Sequence, residues 1–386
     1  MSDDETPIDS SAGEPGSSHD GVAPLPGQSG GATAAAPTKR GGFVRRHKLL
    51  LALGLVLVVI AASAGGYLYW LDTRLTAVSR IPVDIIEEDP KKDHGGEKDQ
   101  PLNILLLGAD NGNGTESVEA DLKDGKWTPF IHRSDTMMIA HIPADRKSVQ
   151  LVSIPRDTWV PIKDYPTTDS HAKINAAFAF GGPSVAVDTV EKLTGMSIDH
   201  LAIIDWDGFK DLTTNLGGVR VYIPEAFYDS SQRIPWDQGW QTLKGQLALA
   251  YVRTRYDLPD ESGDFGRIAR QQNFLRATMG QLLSSSHNII TMTKVLNGIV
   301  KYLTIDDSWD NDEIRNLALS LRSLHASDVD FLTAPLGSYD TVDGQSIVRL
   351  APKQSQRLFD DVDGDNIQDY LDRYPDAKLD DDRSID

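Results

Sequence analysis

The longest uninterrupted apolar run in the chain extends from Leu49 to Trp70 and contains no charged residue. As an α-helix it would be about 33 Å long, enough to cross a bilayer hydrocarbon core of about 30 Å. Basic residues precede the run: Arg40, Arg45, Arg46 and Lys48. Aromatic residues lie at its far end: Tyr67, Tyr69 and Trp70. Because positive charge favours the cytoplasmic side, the pattern predicts a single-pass cell-membrane anchor (49–70) with a cytoplasmic N-terminus and an extracytoplasmic remainder.

A cleaved signal peptide is the alternative, because Leu49–Ile60 has the length of a signal-peptide core and Ala62-Ser63-Ala64 resembles a cleavage site. The long N-terminal tail and the apolar continuation to Trp70 favour the uncleaved anchor. Residues 1–48 are rich in Gly, Pro, Ser, Ala and Asp and predict a disordered tail. Residues 71–100 predict a charged linker that holds the exported part of the chain off the membrane.

Beyond residue 100, short apolar runs alternate with helical patterns, as is typical of an α/β domain. Strands are predicted at Leu102–Leu107, Thr136–Ile142, Val149–Ile154, Ile198–Ile204, Val219–Ile223, Val329–Thr333 and Ser346–Leu350. Helices are predicted at Pro183–Thr194, after an N-cap at Asp205, at about 266–283 and at 287–303. We therefore expect residues 101–360 to form one domain in which helices cover both faces of a central mixed sheet, an α-β-α arrangement.

The formal net charge of -19 at pH 7 argues against a nucleic-acid partner, since such a partner needs a basic surface. The absence of cysteine excludes disulfides, cysteine-based zinc sites and a thiol nucleophile. Residues 361–386 are acidic and predict a solvated tail. A calcium loop at Asp361–Asp369 is the less favoured alternative, because its glycine falls at the fourth position and not at the sixth.

Four arginines are concentrated between Leu243 and Gln272 of this acidic chain: Arg253, Arg255, Arg267 and Arg270. Guanidinium groups match phosphate oxygens two at a time, so the cluster predicts an anion site. Arg253 and Arg255 are two residues apart and would share one side of an extended backbone. Arg267 and Gln271 are four apart and would share one face of the helix predicted at 266–283. Surface ion pairs with neighbouring carboxylates are the structural alternative.

Three successive predicted strands carry charged side chains at their ends, where α/β sheets place ligand groups. In chain order these residues are Asp110, Arg133, Asp135 and Arg156. Hard carboxylate oxygens suit Mg²⁺, which often bridges to phosphate, so Asp110 and Asp135 are candidate metal ligands. Lys173 is a further candidate phosphate contact. For each of these residues, a capping, turn or surface role is the structural alternative.

These segments together resemble the LytR-CpsA-Psr family of cell-wall glycopolymer transferases. The resemblance is carried by Asn103–Asp110 (NILLLGAD), Arg133–Pro143 (RSDTMMIAHIP), Val152–Val160 (VSIPRDTWV), Lys173–Gly182 (KINAAFAFGG), Asn215–Val219 (NLGGV) and Tyr251–Gln272. The motifs fall within residues 100–285, and their combination is specific where no single motif would be. The resemblance implies an extracytoplasmic α-β-α domain with a hydrophobic tunnel for a polyprenyl chain.

The same resemblance implies Mg²⁺-dependent transfer of a glycopolymer from a polyprenyl-pyrophosphate carrier to peptidoglycan. By motif, the metal-binding carboxylates fall on Asp110 and Asp135. The pyrophosphate-binding residues fall on Arg133, Arg156, Arg253, Arg255, Arg267 and Gln271, with Lys173 and Arg270 carried over less directly. The sequence leaves open whether a carboxylate acts as general base or as metal ligand. Two other activities suit the same residues: hydrolysis of a polyprenyl pyrophosphate, and lipid binding without chemistry.

Overall fold

The computed structural model of the protein describes residues 66–67, 69–83, 100–110, 118–123, 127–254, 263–285 and 289–378. All of these residues belong to one compact unit, Ala64–Asp386. The strands are β1 (Ser79–Ile81), β2 (Leu102–Asp110), β3 (Arg133–Ile142), β4 (Val149–Ser153), β5 (Trp159–Pro161), β6 (His171–Lys173), β7 (His200–Asp205), β8 (Val219–Ile223), β9 (Phe227–Asp229), β10 (Ile234–Trp236), β11 (Gly239–Leu243), β12 (Leu303–Asp306), β13 (Val329–Thr333), β14 (Leu336–Val342) and β15 (Gln345–Leu350). The helices are α1 (Val118–Lys123), α2 (Asn175–Thr194), α3 (Trp206–Asn215), α4 (Gln246–Arg253), α5 (Gly263–Ser285), α6 (Ile289–Ile299), α7 (Asn311–Ser320), α8 (Pro352–Asp363) and α9 (Ile367–Arg373).

Several predicted segments lie wholly or mainly outside the described residues. They are the cytoplasmic tail (1–48), most of the membrane anchor (49–65 and 68), most of the linker (84–99) and the last part of the acidic segment (379–386). In the part of the chain that the structure describes, no helix combines the length and the apolar character needed to span a bilayer. The single-pass anchor therefore stays a prediction.

The centre of the fold is a seven-stranded sheet with the order β1-β12-β7-β2-β3-β4-β13. Strand β1 lies within the predicted linker (71–100), so that prediction is wrong for this part of the chain, where Val78 and Ile81 are buried. Strand β2 pairs in parallel with β7 and antiparallel with β3, which in turn pairs antiparallel with β4. The sheet is therefore mixed, as predicted. Because β2, β4 and β7 run in one direction and β3 runs in the other, the C-terminal ends of β2, β4 and β7 meet the first residues of β3 at one edge.

Helices cover both faces of this sheet, which confirms the predicted layered arrangement. On one face, Leu105 and Leu107 of β2 pack in a core cluster with Phe178 of α2 and Leu358 of α8. On the other face, alternate strand residues pack against α5 and α7; this second cluster contains Ile104, Ala140, Leu151, Leu275, Met279, Val300 and Ile314. The alternation of side chains along a strand produces the two clusters, since neighbouring residues point to opposite faces.

The helix boundaries follow local signals in the sequence. Asp205 caps α3, because its side chain accepts a hydrogen bond from the backbone N–H of Gly208 at 2.7 Å. Gly195 ends α2 in the left-handed conformation, with φ of 77°. Helix α2 begins earlier than Pro183, and Gly182 interrupts it with φ of 73°. A Cβ at Gly182 would also lie 3.2 Å from the ring of Trp127, so both conformation and space favour glycine there.

The prediction of a solvated tail from residue 361 onward is wrong for residues 361–378. Helix α8 continues to Asp363 and is followed by α9. Val362 and Tyr370 have no exposed surface and belong to the core cluster on the α2 face of the sheet. The acidic composition of this segment suggested solvent exposure, although its apolar residues Val362 and Tyr370 pack in the core.

The acidic side chains of the same segment contact the sheet at the edge where β2 begins. Asp363 accepts a hydrogen bond from the amide of Asn103 at 3.0 Å. Asp365 lies 2.7 Å from Nε2 of His141, and Nδ1 of His141 lies 2.7 Å from the side-chain oxygen of Asn103. His141 is fully buried and is therefore a packed residue of the central strand β3. These contacts give the acidic loop a structural role.

Four two-stranded hairpins lie outside the main sheet in the described residues: β5–β6, β8–β11, β9–β10 and β14–β15. The predicted strand at Ser346–Leu350 falls on β15, which pairs with β14 and makes one parallel bridge from Val348 to Thr158. The buried side of the β8–β11 hairpin forms a third core cluster with α4 and α5, which contains Val219, Val221, Ile223, Leu243, Ala248, Tyr251 and Phe274. This cluster joins the hairpin to the two helices that carry Arg253, Arg267, Arg270 and Gln271.

Helix α5 is fastened to the sheet by one buried amide. The side chain of Gln272 donates to the Ser153 hydroxyl at 3.1 Å, to the Leu332 carbonyl at 2.9 Å and to the Thr333 hydroxyl at 2.7 Å. Only 3% of Gln272 is exposed. A buried amide with such partners is costly to remove, because the acceptors are left without hydrogen bonds.

We expect Gln272→Ala to lower the free energy of unfolding by about 1–3 kcal/mol, the penalty for stranding buried hydrogen-bonding groups. Urea unfolding followed by circular dichroism measures the change. Gln246→Ala, at the exposed first residue of α4, is the control and should change stability by less than about 0.5 kcal/mol. Equal stability of Gln272→Ala and wild type would contradict this role.

Candidate functional site

The site lies at the sheet edge where β2, β4 and β7 end and β3 begins. The register places Asp110 opposite Arg133 and Ala109 opposite Asp205. Gly108 allows β2 and β3 to approach closely here, because a Cβ at Gly108 would lie 3.0 Å from the Cβ of Thr136. The fold thus brings two predicted site residues, Asp110 and Arg133, onto facing positions of two paired strands.

Asp135 occupies an irregularity of the β2–β3 pair. Gly108 pairs with Thr136, but the next pair is Ala109 with Ser134, so β3 contains one residue more than β2 at this point. Such a bulge bends the strand and changes the direction of the extra side chain. The side chain of Asp135 therefore does not follow the regular alternation of side chains along β3. Asp135 is also close in the strand to the pair formed by Asp110 and Arg133.

Asp135 and Arg156 form an ion pair that joins the start of β3 to the loop after β4. Nη1 of Arg156 lies 2.5 Å from a carboxylate oxygen of Asp135, and the two side chains are 16% and 21% exposed, respectively. Nε of Arg156 lies 3.7 Å from Asp157, and Nζ of Lys173 lies 3.1 Å from the same carboxylate. The predicted residues Asp135, Arg156 and Lys173 therefore belong to one chain of alternating charges.

A narrow cleft lies beside this ion pair, between the sheet and α5, and its interior has about 10 Å³ of space for the centre of a water molecule. Asp135 and Arg156 contribute charge to its wall, and Gln271 of α5 adds an amide from the opposite side. The apolar part of the lining comes from the strands and includes Met138 and Ile154. Three predicted site residues from three distant segments of the chain thus meet in one cleft.

Arg253 is the last residue of α4, which corrects the extended backbone predicted for Arg253 and Arg255. Gly245 precedes the helix, and the residues between Gln246 and Arg253 bury Ala248 and Tyr251, so packing favours a helical turn here. The guanidinium of Arg253 lies 3.8 Å from the ring centroid of Trp206, the first residue of α3. Trp206 directly follows Asp205, which places this cation–π pair at the site end of β7.

Helix α5 holds the end of α4 through its own polar side chains. Gln271 donates to the carbonyl of Val252 at 3.2 Å. Arg270 is 3% exposed and donates to the carbonyl of Thr254 at 2.9 Å. The structure therefore gives Arg270 a structural contact on the backbone next to Arg253, and Gln271 reaches both this backbone and the cleft.

Two predicted anion-binding residues fall outside what the structure describes. Arg255 belongs to residues 255–262, which are not described. Arg267 lies in the first turns of α5, but its side chain is not among the described ones. The backbone places Arg267 one helical turn before Gln271. Both residues stay predictions.

A turn between β9 and β10 fixes the end of α4 from the other side. Gln232 donates to the carbonyl of Ala250 at 2.8 Å and to the hydroxyl of Thr254 at 3.3 Å. The carboxylate of Asp229 accepts from the amide of Gln232 at 2.7 Å and from the hydroxyl of Ser231 at 2.6 Å. Burial favours a raised pKa for Asp229, but the hydrogen bonds from Ser231 and Gln232 outweigh it and lower the pKa below its ordinary value.

Sequence reasoning missed Trp206, Asp229 and Gln232. Trp206 follows the N-cap of a helix at the end of a strand, which is a signal for a residue at the ligand edge of an α/β sheet. Asp229 and Gln232 act only through a long-range contact with Ala250 and Thr254, and their short segment contains no motif that indicates such a contact.

The donor set at this edge suits Mg²⁺. Asp110 and Asp135 offer hard oxygen atoms from adjacent strands, and Mg²⁺ is usually held by one or two carboxylates together with water and substrate phosphate. Among the side chains that the structure describes, no three His, Asp or Glu residues group as a complete metal site. Asp110 and Asp135 stay candidate ligands of Mg²⁺, and Arg133, Arg156 and Arg253 stay candidate contacts of an anionic ligand.

Comparison with known proteins places these features in a family. The sequence model of the LytR_cpsA_psr family matches residues 69–362. Cell wall biosynthesis protein LcpA of Corynebacterium glutamicum is 32% identical over 305 residues, which are 70% of this chain and 57% of that protein. Polyisoprenyl-teichoic acid--peptidoglycan teichoic acid transferase TagU of Bacillus subtilis is 31% identical over 272 residues, 69% of this chain and 81% of TagU. The crystal structure of Bacillus subtilis TagV has a TM-score of 0.54 at 29% identity, over 71% of this chain and 98% of that one.

The lowered pKa of Asp229 predicts a pH-dependent contribution to stability. A carboxyl group with a lowered pKa in the folded state stabilises the protein above its ordinary pKa of about 3.9. This contribution is lost as the pH falls through the folded-state pKa. We expect Asp229→Ala to reduce the free energy of unfolding by about 1–3 kcal/mol at pH 7 and by less at pH 3.

Urea unfolding of the two proteins across this pH range measures the difference. Asp237→Ala, at an exposed position between β10 and β11, is the control and should match wild type within about 0.5 kcal/mol. A loss of stability that is the same at pH 7 and pH 3 would show that Asp229 acts through packing and not through its charge.

Proposed function

The chain belongs to the LytR-CpsA-Psr family, and we propose that it transfers a glycopolymer from a polyprenyl-pyrophosphate carrier to peptidoglycan in the cell wall. The observation that carries this proposal is the cleft in which Asp135, Arg156 and Gln271 meet at the ligand edge of the sheet. The relatives LcpA and TagU support it by name, as a cell wall biosynthesis protein and a teichoic acid transferase. The polymer that this chain carries is not specified by these residues.

The pyrophosphate of the donor is held by the arginines at the sheet edge. Arg156 is fixed by its ion pair with Asp135, and Arg253 is fixed by its stack on Trp206. Both cations are therefore oriented before the substrate arrives, so little reorganisation is needed as charge develops. Gln271 adds an amide donor from the opposite wall of the cleft, and Arg133 adds charge beside Asp110.

The reaction is a displacement at phosphorus. An oxygen of a peptidoglycan hydroxyl bonds to the phosphorus that carries the glycopolymer, and the bond from that phosphorus to the bridging oxygen breaks. Polyprenyl phosphate leaves with the bonding electron pair, and the hydroxyl proton passes to a carboxylate, Asp110 or Asp135. The arginines stabilise the negative charge on the leaving phosphate, which is the main requirement of phosphoryl transfer.

Asp110 and Asp135 are also the residues that would hold Mg²⁺. A bound Mg²⁺ would neutralise phosphate charge and orient the diphosphate. The same two carboxylates are thus candidates for both proton acceptance and metal binding, and we assign Asp135 to the metal because it lines the cleft beside Arg156. Asp110 is then the candidate general base.

The lipid part of the donor explains why the protein would be anchored in the membrane. We propose that the polyprenyl chain lies in an apolar channel that begins at the cleft, on the side of Met138 and Ile154. The donor is confined to the bilayer, so an extracytoplasmic domain joined to a single-pass anchor would meet it at the membrane surface. The anchor predicted at 49–70 supplies that confinement.

We expect Arg156→Ala and Asp135→Ala each to lower kcat for polymer transfer by about 10²–10³-fold, because each removes charge at the reacting phosphate. The measurement is transfer of labelled polymer from a polyprenyl-pyrophosphate donor to purified peptidoglycan by the full-length protein in lipid nanodiscs with Mg²⁺. Thermal unfolding by circular dichroism checks that each variant is folded.

A matched control is the ion pair of Arg349 and Asp340 on the exposed β14–β15 hairpin, 3.5 Å apart and about half exposed. Arg349→Ala and Asp340→Ala should transfer polymer at the wild-type rate, since surface ion pairs contribute little to stability. Near-normal transfer by folded Arg156→Ala and Asp135→Ala would sink the proposed site.

The fate of the sugar phosphate separates transfer from the two alternative activities. A transferase leaves the label covalently attached to peptidoglycan, whereas a pyrophosphatase releases it in solution because water takes the place of the acceptor hydroxyl. We expect most product to be peptidoglycan-linked when acceptor is present. Lipid binding without Mg²⁺-dependent turnover would instead favour a non-catalytic regulator.

A further inference from the structure

The β8–β11 hairpin has two chemically different sides. Val219, Val221 and Ile223 of β8 and Leu243 of β11 are buried in the core cluster shared with α4 and α5. The other side carries Arg220, Tyr222, Trp240 and Thr242, which we call the Trp240 surface. The register pairs Trp240 with Tyr222 and Thr242 with Arg220, so all four side chains share this side.

Trp240 is held in a defined orientation although 61% of it is exposed. The guanidinium of Arg220 lies 4.3 Å from the ring centroid of Trp240. The ring of Tyr222 meets the indole edge to face, with a centroid distance of 5.4 Å and an interplanar angle of 63°. Contacts of both kinds fix an aromatic ring more firmly than burial of one edge does. The result is a rigid ring that offers most of its surface to solvent.

The chemistry of the Trp240 surface matches a sugar better than a lipid. Each of its four side chains has a hydrogen-bonding group, and none is aliphatic. A pyranose with equatorial substituents presents a flat patch of C–H groups that stacks on an indole, and its hydroxyl groups at the rim need polar partners. Trp and Tyr also occur at bilayer interfaces, but binding there scales with buried apolar area, which these four side chains supply only at their two rings.

The hairpin is also rigidly connected to the site. The cluster beneath it includes Ala248 and Tyr251 of α4 and Phe274 of α5, the helices that carry Arg253 and Gln271. Helix α4 has eight residues and is therefore about 12 Å long. Strand β11 ends close to the first residue of α4, and Arg253 is its last residue.

We propose that the Trp240 surface binds the glycan strand of the peptidoglycan acceptor, a chain of β-1,4-linked amino sugars. This inference rests on the proposed function. The donor is held by its diphosphate and its lipid, but the acceptor brings only a neutral hydroxyl to the reacting phosphorus. Binding of the glycan strand to the Trp240 surface, away from the reacting phosphorus, then positions the acceptor. It also supplies binding energy that the reacting hydroxyl cannot supply.

Isothermal titration of the full-length protein in nanodiscs with a hexamer of β-1,4-linked N-acetylglucosamine tests the proposal. We expect the wild type to bind the hexamer and Trp240→Ala to bind it at least about tenfold more weakly, as for loss of an aromatic hot spot. Tyr339→Ala removes another aromatic side chain, 55% exposed on the β14–β15 hairpin, and should bind as the wild type does.

Asp135→Ala separates this inference from the proposed function. It should bind the hexamer normally because Asp135 belongs to the cleft and not to the hairpin. In the transfer assay, Trp240→Ala should raise the KM for peptidoglycan about tenfold and leave the KM for the lipid donor unchanged. If transfer is not the activity but hexamer binding still depends on Trp240, the proposed function fails and the glycan surface stands.

Two results would overturn the inference. One is equal hexamer affinity of wild type and Trp240→Ala, or no binding by either. The other is contact of the ring with the bilayer: fluorescence quenching by brominated lipids in the nanodisc that disappears in Trp240→Phe, together with hexamer binding that does not change.

Discussion

The candidate site depends on the bulge that places Asp135 outside the regular alternation of β3. The β2–β3 pair gains one residue between Thr136 and Ser134, and this extra residue is the one that meets Arg156. A regular strand would direct Asp135 by simple alternation, without the bend that carries it toward the loop after β4. The bulge therefore couples the strand register to the position of a guanidinium group that the proposed reaction requires.

The ion pair of Asp135 and Arg156 is suited to a binding role. Its side chains are about four-fifths buried, yet both still reach the cleft. Two paired charges at such a position are less costly than one isolated charge, because each compensates the desolvation of the other. In the proposed reaction the pair stays in place, and Arg156 presents its remaining N–H donors to the diphosphate.

The scaffold around the pair is built to keep α5 and α4 in place. Gln272 fastens α5 to β4 and β13, and Gln271 and Arg270 fasten the end of α4 to α5. The adjacent glutamines have different tasks because successive residues of a helix point about 100° apart. Gln272 faces the sheet and Gln271 faces the cleft. A shift of α5 would therefore move the amide wall of the cleft and Arg253 together.

Local signals in the sequence predicted much of this fold. The strand at Val329–Thr333, the cap at Asp205 and the stop at Gly195 follow from side-chain chemistry within a few residues, and the structure confirms all three. The grouping of charged residues at strand ends also placed Asp110, Arg133 and Arg156 at one edge. These local signals could not predict features that depend on contacts between residues far apart in the sequence.

Three features show this limit. The spacing of Arg253 and Arg255 suggested an extended backbone, but packing of Tyr251 against the β8–β11 hairpin makes the segment helical. The acidic segment after residue 360 looked solvated, but Val362 and Tyr370 anchor it in the core. The bulge at Asp135 arises from the register between two strands, which no single segment encodes.

The central claim is that Asp135, Arg156 and Gln271 form a receptor for a diphosphate. The most direct test is the affinity of the full-length protein for geranylgeranyl pyrophosphate and for geranylgeranyl monophosphate, measured by isothermal titration with Mg²⁺. We predict that the wild type and Arg349→Ala prefer the diphosphate at least about tenfold and that Arg156→Ala loses this preference. Equal affinity of the wild type for both lipids, or a preference that survives in Arg156→Ala, would contradict the account.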